Sequence, residues 1–266
     1  MNDSFGWPLE FGNWDFKFMS SQFSPGLRLY TKFLAFATFL LIIAGGLVTS
    51  TGSGLAVPDW PLSYGQWMPP MIGGVRFEHS HRMIAASVGL FTLILVVWMQ
   101  ISEKRAWVRW IGVGALGAVV LQGILGGLTV KYLLPAPISV FHATLAQVFF
   151  ALTVVIAYIA SREWHDDDLT VSMMDLHVIK KVTGATTVVI FLQLLLGAAF
   201  RHMSHPAFVV FHILTAFLVL LHAVILIAKV TSDMSGEKRI FYPACAIGLL
   251  IAIQIALGIG AFLFKV

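Results

Sequence analysis

Cysteine is nearly absent: Cys245 is the one thiol in 266 residues. A single thiol makes neither an internal disulfide nor a thiolate metal site, so it reveals no redox compartment. Charge is scarce too. Asp, Glu, Lys and Arg make up 11% of the chain, against about 25% in a soluble domain. Hydrophobic residues reach 58% and mean hydropathy is +0.87. Water is therefore not the main solvent of this chain, and a soluble domain able to fold alone is excluded. The amino terminus lacks the basic start and apolar core of a signal peptide, opening instead with acidic Asp3. Its aromatics (Phe5, Trp7, Phe11, Trp14, Phe16 and Phe18) suit a membrane interface and favour anchoring over catalysis.

Seven stretches free of Asp, Glu, Lys and Arg remain: 33–49, 83–101, 110–130, 138–160, 182–200, 207–228 and 241–264. A span needs about 20 apolar residues, so the first is short unless Thr31 and Ser50 lie among the headgroups. The expectation is an all-α polytopic membrane protein with seven transmembrane helices. With the N-terminus in the cytoplasm, twelve Lys and Arg residues fall inside and five outside, which places the C-terminus outside. This bias explains the net charge of +4 and calls for no nucleic-acid partner. The bilayer is the partner that composition demands. The loop 50–78 is rich in Gly and Pro and reads as turns. Asp166, Asp167 and Asp168 read as a solvated cytoplasmic turn.

An internal repeat organises the chain. Leu121-Gln122-Gly123-Ile124-Leu125-Gly126 recurs as Leu192-Gln193-Leu194-Leu195-Leu196-Gly197 and as Ile253-Gln254-Ile255-Ala256-Leu257-Gly258. Gly45-Gly46-Leu47-Val48-Thr49 echoes Gly126-Gly127-Leu128-Thr129-Val130. Small residues at these ends let helix backbones approach closely. Histidines keep the rhythm: His142 lies 16 residues after Gly126 and His212 lies 15 after Gly197, while His81 opens the second span. The same offset from Gly258 predicts a histidine near position 273 or 274, beyond Val266. The expected architecture is a four-helix half plus an incomplete, pseudo-symmetric second half. Its segments are 1–29 (cytoplasmic or interfacial), 30–160 (N-terminal half), 161–181 (cytoplasmic linker) and 182–266 (three-helix C-terminal half).

Three histidines at one depth on alternate helices point to a cofactor. Haem fits best, because its iron takes axial imidazoles and its macrocycle needs an apolar slot between helices. Zinc would want three or four ligands crowded at one point. Glu78, three residues before His81, shares its helix face. Two readings of it stay open: a carboxylate that moves protons beside the pocket, or an interfacial partner for Arg76 or Arg82. His79 points off that face and reads as interfacial, and His202 and His205 as surface residues of a short loop. His222, roughly 80° off the His212 face, reads as packing. His165 and His177 fall on the cytoplasmic side.

Two phrases together resemble the haem A synthase family: Thr51-Gly52-Ser53-Gly54-Leu55-Ala56-Val57-Pro58-Asp59-Trp60-Pro61-Leu62-Ser63-Tyr64-Gly65, and Glu78-His79-Ser80-His81-Arg82. The resemblance runs from about residue 30 to the chain end. It implies two four-helix halves, each holding one haem between histidines of its second and fourth helices. His81 and His142 would flank the haem O substrate, Glu78 would be the essential carboxylate, and His212 would ligate haem b. The family oxidises the C8 methyl of haem O to a formyl group, with water and oxidising equivalents from the haem centres. Haem O synthase and a second copy of the chain are candidate partners. Many relatives carry a cysteine pair in the outer loop, where this chain has Val57 and Ser63. The eighth helix and its histidine are also missing. A truncated form, a haem b with one protein ligand, and a helix from a second polypeptide are the three options that this leaves. The competing readings are a bis-histidine b-type cytochrome that only carries electrons, and a transporter. Polar residues gathered at one end argue against a transporter.

Overall fold

In the computed structural model, residues 23–165, 171–203 and 205–264 are described. The N-terminal aromatics, the Asp166–Asp168 turn, Lys17 and Lys265 lie outside them. Backbone in a bilayer must satisfy its own hydrogen bonds, and the uncharged runs do so as helices. These are α1 (Pro25–Ser50), α2 (Val75–Ser102), α3 (Ala106–Lys131), α4 (Ala136–Ile159), α5 (Met173–Met203), α6 (Pro206–Asp233) and α7 (Lys238–Phe264). All seven are long and apolar enough to cross a membrane. The first is not short after all. Ser24 caps its start, accepting from the Leu27 amide at 3.3 Å with Pro25 behind it, so the helix gains a further two turns. α5 begins at Met173, within the stretch assigned to the linker.

Helices α1 to α4 close a ring: α1 packs on α2 and α4, and α3 packs on the same two. α2 and α4 are therefore diagonal. The chain continues outward, with α5 on α4, α6 on α5 and α7 on α6. One end of the ring is filled by Phe23, Leu27, Leu34, Leu95, Met99, Val108, Ala115, Phe149 and Ile156. Buried threonines in the ring return their hydroxyls to their own helices, as Thr38 does to the Leu34 carbonyl at 2.8 Å and Thr92 to that of Val88 at 2.8 Å. The apolar fill stops before the opposite end, which is left to histidines.

The filled end is closed by a motif that recurs. Between α2 and α3, Glu103-Lys104-Arg105 folds so that the Arg105 guanidinium meets both Glu103 oxygens, at 3.0 and 2.9 Å. Between α6 and α7, Glu237-Lys238-Arg239 repeats it, with Arg239 Nε at 3.1 Å from Glu237. The same Glu-Lys-Arg turn thus joins α2 to α3 and α6 to α7.

Candidate haem site

Each of the three periodic histidines lies against a glycine of the preceding helix. A Cβ on Gly45 would meet His81 Cε1 at 3.1 Å, one on Gly126 would meet His142 Cε1 at 3.4 Å, and one on Gly197 would meet His212 Cε1 at 2.9 Å. The glycine at the end of an odd helix thus admits an imidazole from the start of the next even helix. His81 and His142 stand on diagonal helices at the unfilled end of the ring. The Nδ1 atoms of His81, His142 and His212 are all buried without a hydrogen-bond partner. Rings held in glycine cradles, each keeping one buried nitrogen without a partner, suit axial ligation of haem iron.

The repeated glutamines attach to these histidine turns. The Gln122 amide donates to the His142 carbonyl at 2.8 Å. Gln193 Nε2 lies 3.2 Å from His212 Nε2, and the Thr215 hydroxyl donates to Gln193 Oε1. The third phrase, on α7, has Gln254 exposed and no described atom within reach of a Cβ on Gly258. His222 keeps a buried, unpartnered Nδ1 on α6.

Glu78 is buried, and both its oxygens are engaged. Oε2 accepts from the Val57 amide at 2.8 Å, and Oε1 from Arg82 at 2.5 Å. Of the two ion pairs open to Glu78, with Arg76 or with Arg82, the structure forms the one with Arg82. Arg82 also donates to the carbonyls of Asp59 (2.7 Å), Leu62 (2.8 Å) and Val57 (3.3 Å). The start of α2 thus gathers the outer loop over the histidine end. His79 differs from the interfacial expectation. It is buried, and its Nδ1 lies 2.8 Å from Ser63 Oγ. The loop folds back over α2 and covers a face that helix spacing alone leaves open. Val57 and Ser63 are thus tied to Glu78 and His79. His205 caps α6 through Nδ1, accepting from the Ala207 amide at 3.2 Å.

Within the loop, Tyr64 (φ 55°) and Gly65 (φ 69°) make a tight turn closed by paired Ser63–Gln66 backbone bonds of 3.0 Å. Asp59 accepts from the Gly65 amide at 2.7 Å and the Tyr64 amide at 2.6 Å. The Gly65 amide first, with Tyr64 and Arg82 behind it, holds the Asp59 carboxyl below its usual range. The Trp60 ring covers Gly127 on α3, where a Cβ would come within 2.8 Å.

A multi-pass helical protein with paired imidazoles at one end of a four-helix ring is what a membrane haem protein requires. The family model of COX15-CtaA, described as cytochrome oxidase assembly protein, matches residues 28–73 and 75–210, and the chain belongs to that family. Curated relatives carry the name heme A synthase. That of Bacillus pumilus is 30% identical over 159 residues, 59% of this chain and 51% of the relative. That of Roseobacter denitrificans is 35% identical over 130 residues, 43% of this chain and 33% of the relative. That of Bacillus licheniformis is 29% identical over 175 residues, 63% of this chain and 56% of the relative. The chain spans about half the length, or less, of these relatives.

Proposed function

We propose that this chain acts as a haem A synthase, oxidising the C8 methyl of haem O to a formyl group. The observation that carries this reading is the pair of glycine-cradled, desolvated imidazoles, His81 and His142, facing one ring interior. They are the proposed axial ligands of the haem O substrate. His212 is proposed as a ligand of a haem b cofactor, whose iron would supply redox capacity for removing electrons. The conversion adds an oxygen from water and releases protons and electrons in equal number, and the electrons would leave for an acceptor outside the chain. Glu78, one turn before His81 and Arg82, is the proposed proton acceptor at the rim. Arg82 fixes the carboxylate's orientation, and the folded outer loop limits water entry. The histidine end is proposed to face outward and the Glu103 and Glu237 turns to face the cytoplasm of a bacterial cell. Haem O synthase is the proposed supplier of substrate.

The full engagement of Glu78 with Val57 and Arg82 favours a second reading. A carboxylate that only staples a loop would do the same in a b-type cytochrome that carries electrons without altering its haem. The ligand assignment is common to both readings and is tested first. His81→Ala and His142→Ala should each abolish the low-spin spectrum of one haem in the purified protein. Unchanged spectra in both variants would overturn the assignment.

A further inference from the structure

We infer that Gln122 selects haem O over haem B, its side-chain carbonyl accepting the hydroxyl that haem O bears beside its prenyl chain. This inference rests on the proposed function. The interior positions of α3 follow a spacing of three and four: Ala115, Val119, Gln122, Gly126, Thr129. Ala115 belongs to the apolar fill and Val119 packs against it. Gly126 receives the His142 ring. Gln122 is thus the first polar side chain above the fill, about 6 Å by helical rise below the histidine contact. On this spacing it would form the floor of the proposed haem slot.

The orientation of its amide is set by its partner. The His142 carbonyl is an acceptor and can face only the N–H end of the amide, at 2.8 Å. The other end, Oε1, is buried and has no hydrogen-bond partner. Gln193, its counterpart in the second half, differs. Its oxygen is satisfied by the Thr215 hydroxyl, and its amide nitrogen faces His212. One site supplies its own hydroxyl donor, whereas the other has an acceptor in need of one.

Haem O and haem B differ at a single pyrrole substituent. Haem O carries a hydroxyl-bearing prenyl chain there, and haem B a vinyl group with nothing to donate. Charged propionates favour the polar rim, so the opposite edge of the macrocycle faces the floor. A ligand with a hydroxyl satisfies Gln122, while one without it leaves the carbonyl buried and unpaired. Sites built to bond a hydroxyl reject analogues lacking it far more strongly than apolar pockets reject a size change.

The test is an equilibrium titration of the chain with haem O and with haem B, followed by absorbance. A His212→Ala background confines binding to the first site. The prenyl chain adds affinity in every variant, so the readout is how the haem O to haem B ratio changes on substitution. Gln122→Met removes the acceptor and should lower the ratio at least about tenfold, with haem B affinity retained. Gln122→Glu keeps an acceptor and should hold the ratio within about threefold of the parent. A ratio unchanged by Met would show that water or no donor meets Oε1, and would overturn the inference. Equal loss of both haems by the Met variant would also overturn it, since Gln122 would then be structural. Failure of the His212→Ala parent to bind either haem would overturn the proposed function as well.

Discussion

Three glycines decide how near the histidine rings come to a helix backbone, and their clearances differ. The contact a new Cβ would make is tightest at Gly197, intermediate at Gly45 and ordinary at Gly126. Alanine should therefore reduce haem retention most at 197, less at 45 and least at 126. Haem-to-protein ratios of the three purified variants would check that order; equal ratios would contradict the cradle. Gly126–His142 and Gly197–His212 stand out in the sequence through offsets of 16 and 15 residues, but Gly45 and His81 are separated by the outer loop, and the small residues read there as points of helix approach, not as seats for imidazoles. His79 was not legible. Its burial depends on Ser63, a loop residue 16 positions away, and helix periodicity carries no information about a loop that folds back. Arg82 was legible only as one of two arginines, with Arg76, that could pair with Glu78. Its three loop carbonyls were not, since backbone acceptors leave no mark on residue type.

At the scale of elements, α1 and α3 end alike but at different cost. The Ser53 amide reaches back to the Val48 carbonyl at 2.9 Å, and the Leu134 amide to that of Thr129 at 2.7 Å. Both are helix ends that need a left-handed residue. α1 supplies Gly52 (φ 65°), whereas α3 uses Leu133 (φ 58°) and Leu134 (φ 60°). Leu133 is 75% exposed, so its side chain has little packing within the protein to lose. Leu133→Gly should stabilise the protein by about 1 kcal/mol, the penalty of a left-handed leucine less the entropy of glycine. A thermal melt in detergent with an unchanged or lower midpoint would contradict this.

The outer loop depends on the start of α2 in the same measurable way. Arg82→Lys keeps the charge but loses the planar fork. Exchange of the Val57, Tyr64 and Gly65 amides should then quicken at least about tenfold. Asp59 sets the loop's pH range. Its folded pKa lies below the ordinary value, so its contribution is complete above the unfolded pKa and fades as pH falls through the folded one. Protection of the Tyr64 and Gly65 amides should therefore be flat from neutral pH to about 5 and decline only below the usual carboxylate range. A decline near neutrality would show another group in control.

For the whole molecule, charge-free runs were enough to foretell seven spanning helices, because a bilayer leaves the backbone few alternatives. The repeat likewise foretold which ends carry imidazoles. The closed ring of α1 to α4 was not derivable from periodicity, because the choice between diagonal and adjacent neighbours depends on side-chain packing. The Glu103 and Glu237 turns are present in the sequence as a repeated Glu-Lys-Arg, but outside the apolar runs that carry the Gln and Gly repeat. They join α2 to α3 and α6 to α7 by the same turn. The central claim is that this arrangement oxidises a haem substituent and does not merely hold haem. It is tested most directly by extracting haem from the chain purified out of cells that make haem O, and determining its mass. The account predicts formyl-bearing haem A from the unmodified chain, and unconverted or partly oxidised haem from Glu78→Gln with both haems still bound. Haem A in equal yield from both proteins would remove Glu78 from the chemistry. Unaltered haem O from the unmodified chain would contradict the central claim and leave a cytochrome.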